Sequence, residues 1–433
     1  MKQLWMVTLF LLSVQQVSAA PAQQHVMDNG LNILLIESHH VPMVAMKLIM
    51  PAGSRFDADG KGGSASLLSQ MLMDHTKQHD YLAWAAKLDD ASIRLGAGVD
   101  KDGLSVSLTV LKEAVDEGMQ AMSEALLQPG WNTERYSILK EDALSSLVKA
   151  QEEAHTFAAV AEGELLFPNH PYGHPTSGTL GSVKHIALQN LKTLYANQVK
   201  PNGATLAISG DITMDEVVTL VQTYLSQWQG KPKVALSDIQ KPVPSDKQAV
   251  NHALDKHQML IEWVRLGPSR HDDDYITMMV LNHMLGGGGF GSQLMEEIRE
   301  KRGLTYGVYS YFQPYETEGA YIIRLQTRAD QAGEAEQVLG QVLDDMSKGN
   351  ITQDMLDKSK TNLRGGFAQR MDSNRERVGL LAMMGFYHRP LDYLENWTKS
   401  VESVTLADVL QGAKKYLQPD AWKQIWVGPE KET

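Results

Sequence analysis

Two homologous α+β domains joined in one chain are the fold class that this sequence predicts, and three observations carry it. The order of strand and helix patterns in the first half recurs in the second. The ends of the two halves keep one register: Ile186, Leu188, Asn190, Leu191, Pro201, Asn202 and Gly210 fall on Val404, Leu406, Asp408, Val409, Pro419, Asp420 and Gly428, a constant offset of 218 residues. Nearer the front, Met71-Leu72 pairs with Met284-Leu285 at an offset of 213. A period of this size marks duplicated domains, since solenoid repeats run about 20–50 residues.

Taken in order, the Asn29-Gly30 turn signal opens an alternating strand at 31–37, with another at 43–50. The glycine-rich connection 60–63 leads into helical patterns at 64–73 and 81–91. Strands at 93–99 and 104–111 follow, then long helices at 112–128 and 132–167, closed by Pro129 and Pro168. The second half repeats the plan. Strands at 250–254 and 258–266 precede a helix at 273–285 and another ending near Arg299; strands at 304–312 and 320–327 and several helices complete it. Residues 230–248 carry Pro232, Pro242 and Pro244 and read as a stiff surface linker.

Composition narrows the function. The chain has 433 residues with 43% apolar content, enough for packed cores, and a net charge of −12 with no basic stripe, which argues against nucleic-acid binding. The absence of cysteine removes disulfides, thiolate zinc sites and Cys nucleophiles, leaving any metal to His and carboxylates. Lys2, the apolar run 4–14 and Val17-Ser18-Ala19 read as a secretory signal peptide cut after Ala19, too short to span a bilayer. A periplasmic or secreted protein without a membrane anchor is expected. The organisation is then 1–19 signal peptide, 20–229 first domain, 230–248 linker and 249–433 second domain.

Several stretches together resemble the pitrilysin/insulinase family of zinc peptidases, which includes the mitochondrial processing peptidases and bacterial two-subunit relatives. They are Gly30-Leu31, Pro51-Ala52-Gly53-Ser54-Arg55, His170-Pro171-Tyr172-Gly173, and the run from Leu285-Gly286-Gly287-Gly288-Gly289 through Arg299 and Gly303-Leu304-Thr305-Tyr306. The resemblance implies that each domain is an antiparallel sheet with helices packed on it, paired with a second such chain around a closed chamber. Active relatives carry H-x-x-E-H on the first helix: residues four apart share a helix face, so two imidazoles hold one zinc while the Glu acts as base. Here Ser66 and Gln70 stand at the two His positions and Ser69 at the Glu position. A hydroxyl or amide does not replace a neutral imidazole, and the carboxylates Glu141 and Asp142 in the third-ligand region would hold zinc only weakly. No zinc is therefore expected in this chain.

The same resemblance points to what remains. Arg299 and Tyr306 match a pair that relatives place opposite the zinc, so a phenol able to donate to a developing oxyanion and a guanidinium able to grip a peptide carbonyl are implied. Gly286, Gly287, Gly288 and Gly289 match a glycine-rich substrate-contacting loop. On the residues alone, Arg299 could equally cap a helix C-terminus and Tyr306 be one strand aromatic among Tyr309 and Tyr311. The implied function is a zinc-free subunit acting with a homologous zinc-bearing subunit on peptides. The alternative is a non-enzymatic peptide-binding or assembly module of the same fold. His75 and His79, four apart, offer a shifted metal site as a third reading; His39, His40, His170 and His174 read as loop residues.

Overall fold

In the computed structural model, residues 21–429 are described; the expected signal peptide lies outside them. Two sheets form. The first contains β1 (Gln23–Val26), β2 (Asn32–Glu37), β3 (Met43–Met50), β4 (Arg94–Val99), β5 (Leu104–Leu111) and β6 (Thr205–Gly210), in the spatial order β1-β2-β6-β3-β5-β4. The second contains β7 (Ala249–Ala253), β8 (Gln258–Leu266), β9 (Val308–Phe312), β10 (Ala320–Arg328) and β11 (Lys423–Gly428), in the order β7-β11-β8-β10-β9. Leaving β1 aside, the two orders coincide strand for strand.

Pairing is antiparallel throughout except for one parallel pair in each sheet, β2 with β6 and β7 with β11. Both β6 and β11 return after a long helical block, which is the kind of crossover a parallel neighbour requires. The constant sequence offset has a structural meaning here. The helices Leu188–Gln198 and Leu406–Tyr416, like β6 and β11, begin and end at corresponding positions. Gly210 and Gly428 close the two returning strands where a Cβ would lie 2.2 Å from Met43 O and 2.8 Å from Gln258 O. The backbones cross too closely there for any side chain.

Each sheet buries one face under its own helices. In the first domain Leu48, Val106 and Leu206 meet Leu68, Met71 and Met122; in the second Ile261 and Ile323 meet Met278, Leu285 and Leu339. The opposite faces are covered by exchange. The second half sends Asn374–Phe386 across to β2, β3 and β6, placing Leu381 and Phe386 against Leu34, Ile36 and Ala207. The first half sends Ala154–Leu166 to β8 and β11, placing Leu165 and Leu166 against Leu260, Val264 and Ile425. At about 1.5–3 kcal/mol per buried aliphatic side chain, neither half would keep its outer sheet face dry without the other.

A buried carboxylate ties this exchange together. Asp102 is fully buried and accepts hydrogen bonds from the Tyr172 hydroxyl (2.6 Å), the Tyr387 hydroxyl (3.0 Å) and the Glu316 backbone N–H (2.8 Å), with Arg55 Nη1 3.5 Å away. Arg55 also donates to the carbonyls of Ala235 and Leu236. The Pro51–Arg55 and His170–Gly173 stretches that carry the resemblance thus sit at the seam between the halves.

Several expectations are corrected. The helix expected over 132–167 is two, Thr133–Ala150 and Ala154–Leu166, because the second must turn away to reach the other sheet. The strand expected from residue 304 begins only at Val308; Leu304 and Thr305 are drawn aside by hydrogen bonds with Thr327 and Gln326. The helix expected over 273–285 is α-helical only for Tyr275–Asn282 and continues as a π-turn, His283–Gly287. Residues 230–248 hold no helix or strand, yet Leu236 is buried and Gln198 exchanges hydrogen bonds with Val234 on both sides, so this segment is pinned down. β1, β6 and β11 were not foreseen.

Candidate functional site

The helix Ser64–Asp74 follows the glycine turn and begins at Gly63, whose φ of 101° needs a glycine. The Asp57 carboxylate accepts from the Gly63 and Ala65 N–H groups (2.8 Å each), satisfying donors left unpaired at the helix start. Burial pushes the Asp57 carboxyl up to about 7. Ala65, Leu68, Met71 and Leu72 are fully buried toward the sheet. On the same helix Ser66 is half-buried, Gln70 is exposed, and the buried Ser69 spends its hydroxyl on the Ser66 carbonyl at 2.8 Å. None of the three presents a basic lone pair, and both Glu141 and Asp142 are exposed on the helix Thr133–Ala150. These residues do not fit a zinc ion. Among the described residues, no group of three or more His, Asp or Glu side chains is placed to hold a metal.

The two histidines just past this helix, His75 and His79, are occupied by structural work. His75 is buried; its Nδ1 donates to Asp74 (2.8 Å) and its Nε2 accepts from the Asn132 N–H (3.2 Å). Burial acts to raise the Asp74 carboxyl, but hydrogen bonds from Arg135 and His75 hold it below its ordinary value. His79 Nδ1 donates to Glu124 at 2.6 Å, and Lys87 and Thr76 share that carboxylate. His75 and His79 therefore do not converge on a common point. His170 uses both ring nitrogens, on the Gln240 carbonyl and the Tyr172 N–H, while His39 pairs with Asp211 and His174 with the Pro175 carbonyl.

In the second domain the corresponding helix leads into the glycine run. Gly286 packs against β9, where a Cβ would lie 2.6 Å from Ser310 N; Cβ atoms on Gly287 and Gly288 would meet Asn282 and His283 at the same distance. Gly286 and Gly288 meet backbone atoms and are demanded by packing in and beside the π-turn, a device found often at functional sites, whereas the atom nearest Gly287 is the end of the Asn282 side chain. Gly289 differs. It faces open space with φ 61° and turns the chain so that Phe290 projects, 68% exposed.

A second π-helical stretch, Met295–Glu300, follows; Met295 and Ile298 are buried in the core, and Arg299 lies half-exposed beside them. The Arg299 guanidinium stacks over the Phe290 ring, 4.6 Å from its centroid. Tyr306 is 89% exposed, and Tyr309 on β9 is exposed as well. The neighbouring cations are neutralised: Lys301 by Glu296 and Glu297, Arg302 by Glu297.

This architecture is known. A solved structure described as a peptidase M16 inactive domain from Pseudomonas fluorescens superposes with a TM-score of 0.89 at 30% identity, covering 94% of this chain and 98% of that one. The chain belongs to peptidase family M16. Family models agree: "Insulinase (Peptidase family M16)" matches residues 32–178, and "Peptidase M16 inactive domain" matches 185–363. Two curated M16 relatives come from Helicobacter pylori. One, named a non-peptidase homolog YmxG, is 24% identical over 90% of each chain. The other, named zinc protease PqqE, is 22% identical over 96% of this chain and 95% of its own. This M16 chain is therefore similar both to a homologue named as lacking peptidase activity and to one named as a zinc protease.

Two features were missed by sequence reasoning. Asp102 carries no local signal, because its partners lie at positions 55, 172, 316 and 387. Phe290 stood in view between Gly289 and Gly291, but its contact with Arg299 depends on the turn that only the folded loop makes.

Proposed function

We propose that this chain is the zinc-free subunit of a periplasmic heterodimeric metallopeptidase and supplies Arg299 and Tyr306 to peptides held at a homologous, zinc-bearing partner. The observation that carries the reading is the contrast between the first helix of the first domain and the stretch 299–306 of the second. Where ligands would stand, Ser66, Ser69 and Gln70 are spent or unsuited; in the second domain an exposed phenol and a guanidinium without an ionic partner among the described residues remain available. The Arg299 fork grips a peptide carbonyl through parallel N–H donors, and the Tyr306 hydroxyl donates a hydrogen bond to the oxygen on which negative charge develops. Of the glycine run, Gly287, Gly288 and Gly289 reach the surface and border the bound chain, where the absence of side chains lets backbone approach backbone, while Gly286 is buried against β9 and is not available to it.

The test is to purify the chain alone and together with a homologous chain bearing H-x-x-E-H, then to measure bound zinc and peptide hydrolysis. The lone chain is expected to hold no stoichiometric zinc and to be inactive. In the complex, Arg299→Ala or Tyr306→Phe is expected to lower turnover by about 10²–10³-fold without preventing assembly, the cost of removing one transition-state donor. Robust cleavage or stoichiometric zinc in the lone chain defeats the reading. A complex that assembles and binds peptide but never hydrolyses it favours the peptide-binding module instead.

A further inference from the structure

From the stack of Arg299 on Phe290 we infer that Phe290 is a positioning residue, holding the Arg299 guanidinium in a fixed plane while leaving its N–H donors free for substrate. The inference rests on the role proposed for Arg299.

Among the described residues no carboxylate and no hydrogen-bond acceptor partners Arg299, although Glu296, Glu297 and Glu300 stand within three positions on the same stretch. Glu296 and Glu297 are instead taken by Lys301 and Arg302, at 2.6 to 2.9 Å. A salt bridge would fix a guanidinium by consuming its in-plane donors and neutralising its charge. An aromatic face fixes it from above, through the ring quadrupole, and consumes neither. At 4.6 Å from the ring centroid the Arg299 contact is of this second kind.

The glycine run supplies the means. Gly286 locks the π-turn onto β9, while Gly289, in open space at φ 61°, opens a short turn on which the Phe290 ring is exposed instead of buried in the core. A phenylalanine 68% exposed gains little from burial, so its stability value is small and its contact with Arg299 is what distinguishes it. The loop is thereby given a second task. Besides lying close to a bound peptide, it carries the platform for the residue that grips that peptide.

The experiment uses the assembled complex and the lone chain. In the complex, Phe290→Ala is expected to lower turnover by about 2- to 5-fold, the value of an exposed cation–π contact, with assembly unchanged. Phe290→Tyr and Phe290→Trp, which keep the π-face, should restore turnover; Phe290→Leu, which keeps only bulk, should not. Combining Phe290→Ala with Arg299→Ala should cost no more than Arg299→Ala alone. In the lone chain, the Arg299 Nε–H NMR signal should report a restricted side chain that becomes mobile in Phe290→Ala. Full rescue by Leu, additive losses in the double variant, or equal mobility of Arg299 in both proteins would overturn the positioning role. An Arg299→Ala complex with undiminished turnover would instead overturn the reading beneath it.

Discussion

The two domains share one sheet order, and the difference between them is concentrated where each first helix meets its sheet. In the first domain Ser64–Asp74 is regular and its polar positions are quiet: Ser69 bonds its own backbone and Gln70 faces solvent. In the second domain the helix loosens into a π-turn and a glycine run; Phe290 lies against Arg299, and Tyr306 and Tyr309 are exposed. The strand order and buried faces depend on apolar positions that both copies retain. The chemistry depends on a handful of polar positions, which can be lost in one copy and elaborated in the other without disturbing the frame.

The comparison breaks first at the seam. If the two domains are stable only through their exchanged helices, Asp102→Ala should destabilise the protein most. It strands Arg55 as a buried charge and leaves the Tyr172 and Tyr387 hydroxyls without their acceptor. A loss of about 3–5 kcal/mol is expected in chemical denaturation, with both domains unfolding in one transition. Two separated transitions would show the domains to be more independent than their packing implies.

A smaller effect tests the glycine run. Gly286→Ala places a Cβ 2.6 Å from Ser310 N and should cost about 1–3 kcal/mol by overpacking, whereas Gly291→Ala meets nothing within 4 Å and should be nearly silent. Equal effects would remove the distinction between glycines demanded by packing and those that leave the loop open.

The smallest effect concerns the exchanged helix Ala154–Leu166. Burial beneath it raises the Glu162 carboxyl to about 7, reinforced by the nearby Glu262 charge and opposed by Lys101 and Arg324. A carboxyl raised in the folded state contributes stability that is fully present below its unfolded value and is lost as pH rises through about 7. The thermal midpoint should therefore fall between pH 5 and pH 8 by a part that Glu162→Gln removes. An unchanged pH slope in that variant would show that Glu162 does not carry the effect.

Much of this was legible in the chain itself. β3 and β5 were expected at the positions where they form, β5 because its apolar and polar residues alternate and β3 because it is a short, almost wholly apolar run. The offset of 218 read from scattered matches became two helices and two strands in register. The π-turn after Asn282 was not legible, since an apolar helical pattern does not reveal where the hydrogen-bond register slips. Nor was the break after Ala150, where local propensity favours continuing the helix and only the second sheet draws it away.

By itself the sequence determined the duplication, the type of most strands and helices though not β1, β6 or β11, and the unsuitability of Ser66, Ser69 and Gln70 for zinc, because each is a matter of local pattern or of side-chain chemistry. The tertiary structure alone decided that the halves exchange helices, that Asp102 joins residues from both, and that Phe290 lies under Arg299. Those contacts join residues distant along the chain or turned toward one another by a loop, and no local preference encodes them; they follow from the burial of sheet faces that neither half can cover alone.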